Sequence, residues 1–143
     1  MDTELKREII LDHYQNPRNK GLIDDDSYIS VNMNNDSCID EVNLMVKLND
    51  GVIEDIKFDG ESCAICTSST SIMIETLIGK TIEEARNIYN NYFKMLNGEE
   101  YDSEVLGDSI VYDDISKQPN RQKCALLGWW GLEKAINDEN CKK

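Results

Sequence analysis

The sequence predicts an α+β fold in which a small three-stranded antiparallel sheet packs against four to five helices. Three observations carry this expectation. Alternating apolar and polar residues run over 28–33 and 42–48, and a third apolar-rich run follows at 52–58, the pattern of half-buried strands. Asn49-Asp50-Gly51 stands between the last two, and Asp-Gly tolerates the positive φ of a tight hairpin turn. After Gly60 the apolar spacing becomes helical.

Taken in order, Leu5, Ile9, Ile10 and Tyr14 predict a first helix. It should stop near Gln15, because Pro17 disfavours helical geometry at the residue before it. A loop follows with Pro17, Gly21 and the acidic run Asp24-Asp25-Asp26. The first strand sets Ile29, Val31 and Met33 against Tyr28, Ser30 and Asn32. The second places Val42, Leu44, Val46 and Leu48 on one face, and the third carries Val52, Ile53, Ile56 and Phe58 to Asp59-Gly60. Ile65, Ile72, Met73, Leu77 and Ile78 define a helix ending at Gly79. Thr81, with Glu84 three residues on, opens another as a capping box, running through Ala85, Ile88, Tyr89, Tyr92, Phe93 and Leu96 to Asn97-Gly98. Residues 99–117 read as a loop with a short helical piece at 112–116. A last helix starts near Asn120, with Leu126, Leu127, Trp130, Leu132 and Ile136 partly buried, and the polar tail 137–143 is expected to fray. With no internal repeat or linker, the chain reads as a single domain over 1–143.

A chain of 143 residues supports one modest core. Its net charge of -13 disfavours nucleic acid and anionic membrane, which need clustered Lys and Arg. No apolar run approaches the ~18 residues of a spanning helix. The start Met1-Asp2-Thr3-Glu4-Leu5-Lys6 is unlike a secretory signal. The expected location is therefore cytoplasmic, a reducing setting where five cysteines serve metals or chemistry rather than crosslinks.

Three of those cysteines stand in separate short motifs: Cys38 in Asn-Asp-Ser-Cys-Ile-Asp, Cys63 in Gly-Glu-Ser-Cys-Ala-Ile-Cys, and Cys124 in Arg-Gln-Lys-Cys. With Asp40 they match the donor count of one tetrahedral zinc. Cys38 falls in the connection between the first two strands, and in extended chain Asp40, two residues on, points to the same side. Cys63 falls at a helix start, where unpaired N–H groups favour ionised sulfur. Cys124 falls early in the last helix beside Lys123 and one turn from Arg121, cations that act in the same sense. Cys66 completes a Cys-x-x-Cys with Cys63, but a zinc ribbon needs a second close pair and a thioredoxin-like redox pair a parallel sheet, so Cys66 reads as a core residue, a reserve thiol or a substitute metal ligand. Cys141 lies in the polar tail. His13, the only histidine, reads as a surface or packing residue, Trp129-Trp130 as half core and half surface, and the acidic runs as solvated loops.

The residues resemble the U-type iron–sulfur assembly proteins, in particular their SufU branch. The likeness runs from about Leu11 to Ile136. It includes Leu-Asp-His-Tyr-Gln-Asn-Pro-Arg-Asn-Lys-Gly at 11–21, Met33-Asn34-Asn35 before Cys38-x-Asp40, and Phe58-x-Gly60-x-x-Cys63-x-Ile65. Gly79-Lys80, Asn97-Gly98 and Pro119-x-Arg121-x-Lys123-Cys124 extend it. Lys123 stands where the IscU branch has a histidine, and the long stretch between Cys63 and Cys124 resembles the insertion of SufU-like chains. The resemblance implies a SufU/IscU-like fold with Cys38, Asp40, Cys63 and Cys124 as zinc ligands and Arg121 as an accessory residue. It also implies that Cys38 accepts persulfide sulfur from a pyridoxal-phosphate cysteine desulfurase, a sulfurtransferase-like role, and serves downstream iron–sulfur assembly proteins. Two other functions stay open: a scaffold holding a transient iron–sulfur cluster, and a structural-zinc protein with another binding role. The chain departs from the family's usual Asn-Pro-x-Cys-Gly-Asp, reading Asn35-Asp36-Ser37-Cys38-Ile39-Asp40. It also carries Cys66, where the family usually has no cysteine.

Overall fold

Strands β1 (Ile29–Asn35), β2 (Asp40–Asn49) and β3 (Val52–Asp59) form an antiparallel sheet in the order β1-β2-β3. This is seen in a computed structural model of the chain, which describes residues 2–35 and 40–141. Around the sheet lie helices α1 (Thr3–Gln15), α2 (Ala64–Leu77), α3 (Ile82–Leu96) and α4 (Pro119–Cys141). Two 3-10 segments, Ser103–Val105 and Gly107–Lys117, fill the connection that the sequence marks as mostly loop. Their tighter spacing does not show in a search for the 3.6-residue period, yet Leu106, Val111, Tyr112 and Ile115 are buried there.

The sheet is somewhat longer than the sequence predicts. Pairing runs from Ile29 opposite Val46 to Asn35 opposite Asp40, so the ladder reaches the 36–39 connection. At the other end Asp50 and Gly51 both have positive φ, 52° and 78°, the primed-turn geometry whose twist suits a hairpin. The exposed edge of β3 is covered by chain from both sides. Gly21 N–H donates to the Phe58 carbonyl at 2.7 Å, and Ile53 N–H donates to the Lys80 carbonyl at 2.8 Å. Such cover satisfies edge groups that would otherwise pair with another chain.

Helix α4 packs against β1, β2 and α2, while α1 packs on α2 and α3 on the 107–117 segment. Gly128 and Gly131 permit this approach. A Cβ at Gly128 would lie 2.4 Å from Thr70 Oγ1, and one at Gly131 would lie 2.6 Å from Leu44 Cδ1. Tyr92 stacks on Trp129 with ring centroids 4.7 Å apart and donates its hydroxyl to the Ala125 carbonyl at 2.9 Å, tying α3 to α4. The backbone of α4 is helical through Cys141, into the segment expected to fray.

Two helices also bury residues that the periodicity does not select. In α1, Leu5 and Tyr14 are exposed and His13 is buried. The inward side carries Lys6, whose Nζ sits 2.6 Å from Asp113 Oδ1, and His13, whose Nδ1 sits 2.7 Å from Ser71 Oγ. In α2 the run Thr67-Ser68-Ser69-Thr70-Ser71 is entirely buried. Its hydroxyls are satisfied within the fold: Ser69 and Thr70 donate to the Cys66 carbonyl at 3.2 and 2.8 Å, and Ser68 bonds the Tyr112 hydroxyl. Partnered polar groups can be buried at little net cost, which apolar periodicity cannot register.

Candidate metal centre

A close backbone approach assembles one side of the site. Gly60 has φ of +131°, and a Cβ there would fall 2.2 Å from the Glu41 carbonyl oxygen. Only glycine lets the chain leaving β3 pass this close to the start of β2. The contact is closed by Glu41 N–H donating to the Glu61 carbonyl at 2.7 Å. Asp40 is thereby set beside Cys63, and the Cys63 N–H donates to Asp40 Oδ1 at 2.7 Å. The second carboxylate oxygen, Oδ2, lies 3.7 Å from Cys63 Sγ.

Cys63 is the N-cap of α2, with extended φ and ψ of -67° and 169°. Its Sγ accepts from the Cys66 N–H at 3.5 Å, taking the place of the usual capping oxygen. Cys124 comes from the other side, in the second turn of α4, and is fully buried. Its helix is set against α2 by the Gly128–Thr70 approach one turn further on.

The result is one cluster. A carboxylate oxygen of Asp40 and the sulfurs of Cys63 and Cys124 all lie within 4.8 Å of one another. A tetrahedral zinc with bonds of about 2.3 Å to sulfur needs its donors ~3.8 Å apart, so a small contraction brings these three to bonding distance of one ion and leaves the fourth position for another ligand. The donor chemistry fits as well, since two thiolates and a carboxylate suit zinc or an iron–sulfur centre. Asp40 is only 3% exposed, and its N–H bond from Cys63 is the kind of outer contact that orients a ligating oxygen.

Cys38 lies outside the described residues. Cys66 is sealed in the core rather than gathered with the other donors. Burial pushes its thiol up to about 12, with the charges of Asp40 and Cys63 adding to the effect. It is therefore a neutral thiol at ordinary pH, a poor stand-in ligand compared with Asp40. Arg121 is exposed on the first turn of α4, as is Lys123. His13 is a packing residue. Its Nδ1 is engaged with Ser71 Oγ, which also accepts the Arg18 N–H at 2.9 Å, and its Nε2 faces Glu75 at 3.6 Å. Burial, then the Arg18 charge, holds its pKa below the ordinary value.

Gly60 was legible in the sequence as the end of a strand and as part of the motif leading to Cys63. Its role in setting Asp40 against Cys63 depends on a nonlocal approach that no local motif announces.

The sequence profile of the family described as NifU-like N terminal domain matches residues 5–138. The chain is 44% identical over 140 residues to the zinc-dependent sulfurtransferase SufU of Bacillus subtilis, covering 97% of this chain and 93% of that protein. It is 37% identical over 129 residues to the iron–sulfur cluster assembly scaffold protein IscU of Thermotoga maritima, covering 90% of each. Among solved structures, the SUF-system SufU of Fervidobacterium islandicum AW-1 superposes with a TM-score of 0.85 at 40% identity, over 90% of this chain and 94% of that one.

Proposed function

We propose, on the premise that this chain belongs to the NifU-like N terminal domain family, that it is an iron–sulfur cluster assembly protein acting as a zinc-dependent sulfur acceptor. Its sulfur comes from the persulfide of a pyridoxal-phosphate cysteine desulfurase and passes to downstream iron–sulfur assembly proteins. The single observation that carries this reading is the gathering of Asp40, Cys63 and Cys124 within 4.8 Å.

The accepting thiol is Cys38. Asp40 cannot accept sulfur, and Cys124 is fully buried, so neither meets an incoming persulfide. Cys63 is half-buried and engaged by Cys66 N–H and Asp40. In the transfer, the Cys38 thiolate attacks the outer sulfur of the desulfurase persulfide. That S–S bond breaks, a new one forms on Cys38, and the desulfurase cysteine leaves as thiolate. Zinc, when bound, holds the ligating thiols ionised and ties three chain segments together. Arg121 and Lys123, exposed near Cys124 on a chain of net charge -13, offer local cations that can engage carboxylates of a partner.

Cys38→Ser is expected to fold normally and to abolish stimulation of the desulfurase. Normal stimulation by this variant contradicts the assignment. The scaffold reading draws support from the similarity to IscU. It predicts a brown protein after anaerobic purification, whereas the sulfur-acceptor reading predicts a colourless one.

A further inference from the structure

Cys66 has no task in the chemistry above. It lies at the third helical residue of α2, one turn from Cys63 at the N-cap. Its own N–H points at Cys63 Sγ, 3.5 Å away, so the sulfur of the first cysteine already rests over the turn that carries the second. Residues three apart in a helix have Cβ atoms about 5–6 Å apart, and a disulfide needs about 3.5–4.5 Å. The gap can close because Cys63 is not held in helical geometry. Its φ and ψ of -67° and 169° belong to extended chain, which leaves the N-cap side chain room to swing. Cys63 is half-buried, open to a small sulfur donor such as polysulfide or to transfer from the accepting thiol, while Cys66 is fully buried. One accessible thiol with one sealed thiol behind it, at a helix start, is the arrangement of a nucleophile and its resolving partner.

We propose that Cys66 is a resolving thiol that releases a sulfane sulfur held on Cys63 as hydrosulfide. The sulfur of Cys66 attacks Cys63 Sγ, the bond from Cys63 Sγ to the outer sulfur breaks, and a Cys63–Cys66 disulfide forms. The outer sulfur takes the bonding pair and leaves as hydrosulfide, which receives the proton lost by Cys66. Two electrons pass from the two cysteine thiols to one sulfane sulfur, so no outside oxidant enters. A dithiol reductant then restores the pair for another turnover. Because Cys66 is sealed from solvent, it meets only sulfur brought to it by Cys63, and proximity replaces bimolecular encounter. The activity adds sulfide release to sulfur acceptance. It rests on the proposed function only for the physiological source of persulfide.

The test therefore replaces the desulfurase with inorganic polysulfide, so its outcome is independent of that partner. Full-length zinc-loaded protein is incubated anaerobically with polysulfide and a zinc chelator, desalted, and followed by intact mass, peptide mapping and sulfide assay. The wild type is expected to release one sulfide per chain and to end with Cys63 and Cys66 joined. Cys66→Ala is expected to retain the extra sulfur atom and to release sulfide at least ~10-fold more slowly. Equal sulfide release by the two proteins overturns the proposal. So does a wild-type crosslink that joins Cys63 to any cysteine other than Cys66, a result that stands even if the alanine variant folds poorly.

Discussion

Asp40 divides its carboxylate between two tasks, one oxygen accepting the Cys63 N–H at 2.7 Å and the other facing the sulfur of the same residue. Asp40→Asn preserves the first and removes the charge from the second. It is expected to keep the helix start and to lower zinc affinity by about 10–100-fold, measured by competition with a chromophoric chelator. Unchanged affinity would show that Asp40 is not a ligand. His13 gives a second prediction at this scale. Its folded pKa is below the ordinary 6.5 because the ring is buried, with Arg18 acting in the same sense and Glu75, Asp12 and Asp108 opposing. The neutral ring therefore contributes stability that is complete above the unfolded value and is lost as pH falls through the lower folded value. Denaturation midpoints should fall more steeply on acidification in the wild type than in His13→Gln, and parallel curves would contradict this account. The identities of Asp40, Cys63 and Cys124 were legible because thiols and carboxylates in separate motifs have few joint uses. That Cys66 is sealed was not, because a Cys-x-x-Cys spacing is the same whether the second sulfur faces solvent or core.

Among the elements, the meander was the most legible, since alternation and an Asp-Gly turn act over a few residues. The Thr81 capping box is equally local, and both of its reciprocal bonds form, at 3.0 and 3.1 Å. Helix α1 was misjudged in its buried side because Lys6 and His13 find partners on other elements, Asp113 and Ser71. The helical piece expected at 112–116 extends over 107–117, a length missed because a 3-10 helix leaves no 3.6-residue imprint. The junction of β3 with α2 carries the sharpest prediction. Gly60→Ala forces a side chain to φ of +131° and against the Glu41 carbonyl. A loss of about 2 kcal/mol in stability is expected, measured by chemical denaturation, together with weaker zinc binding because Asp40 moves from Cys63. A variant as stable as the wild type, with unchanged zinc affinity, would show that the approach does not set the site.

For the whole molecule, the sheet tip, the start of α2 and the second turn of α4 are distant in sequence and meet at one place. No described helix is long and apolar enough to cross a membrane. Ligands drawn from three segments would make metal binding part of folding, and the event that readies the thiols would also steady the core beneath them. X-ray absorption at the zinc edge on the purified protein tests this convergence most directly. One zinc per chain is predicted, with three sulfur neighbours at about 2.3 Å and one oxygen near ~2.0 Å. A protein without zinc, or a zinc shell made only of oxygen and nitrogen, would contradict it.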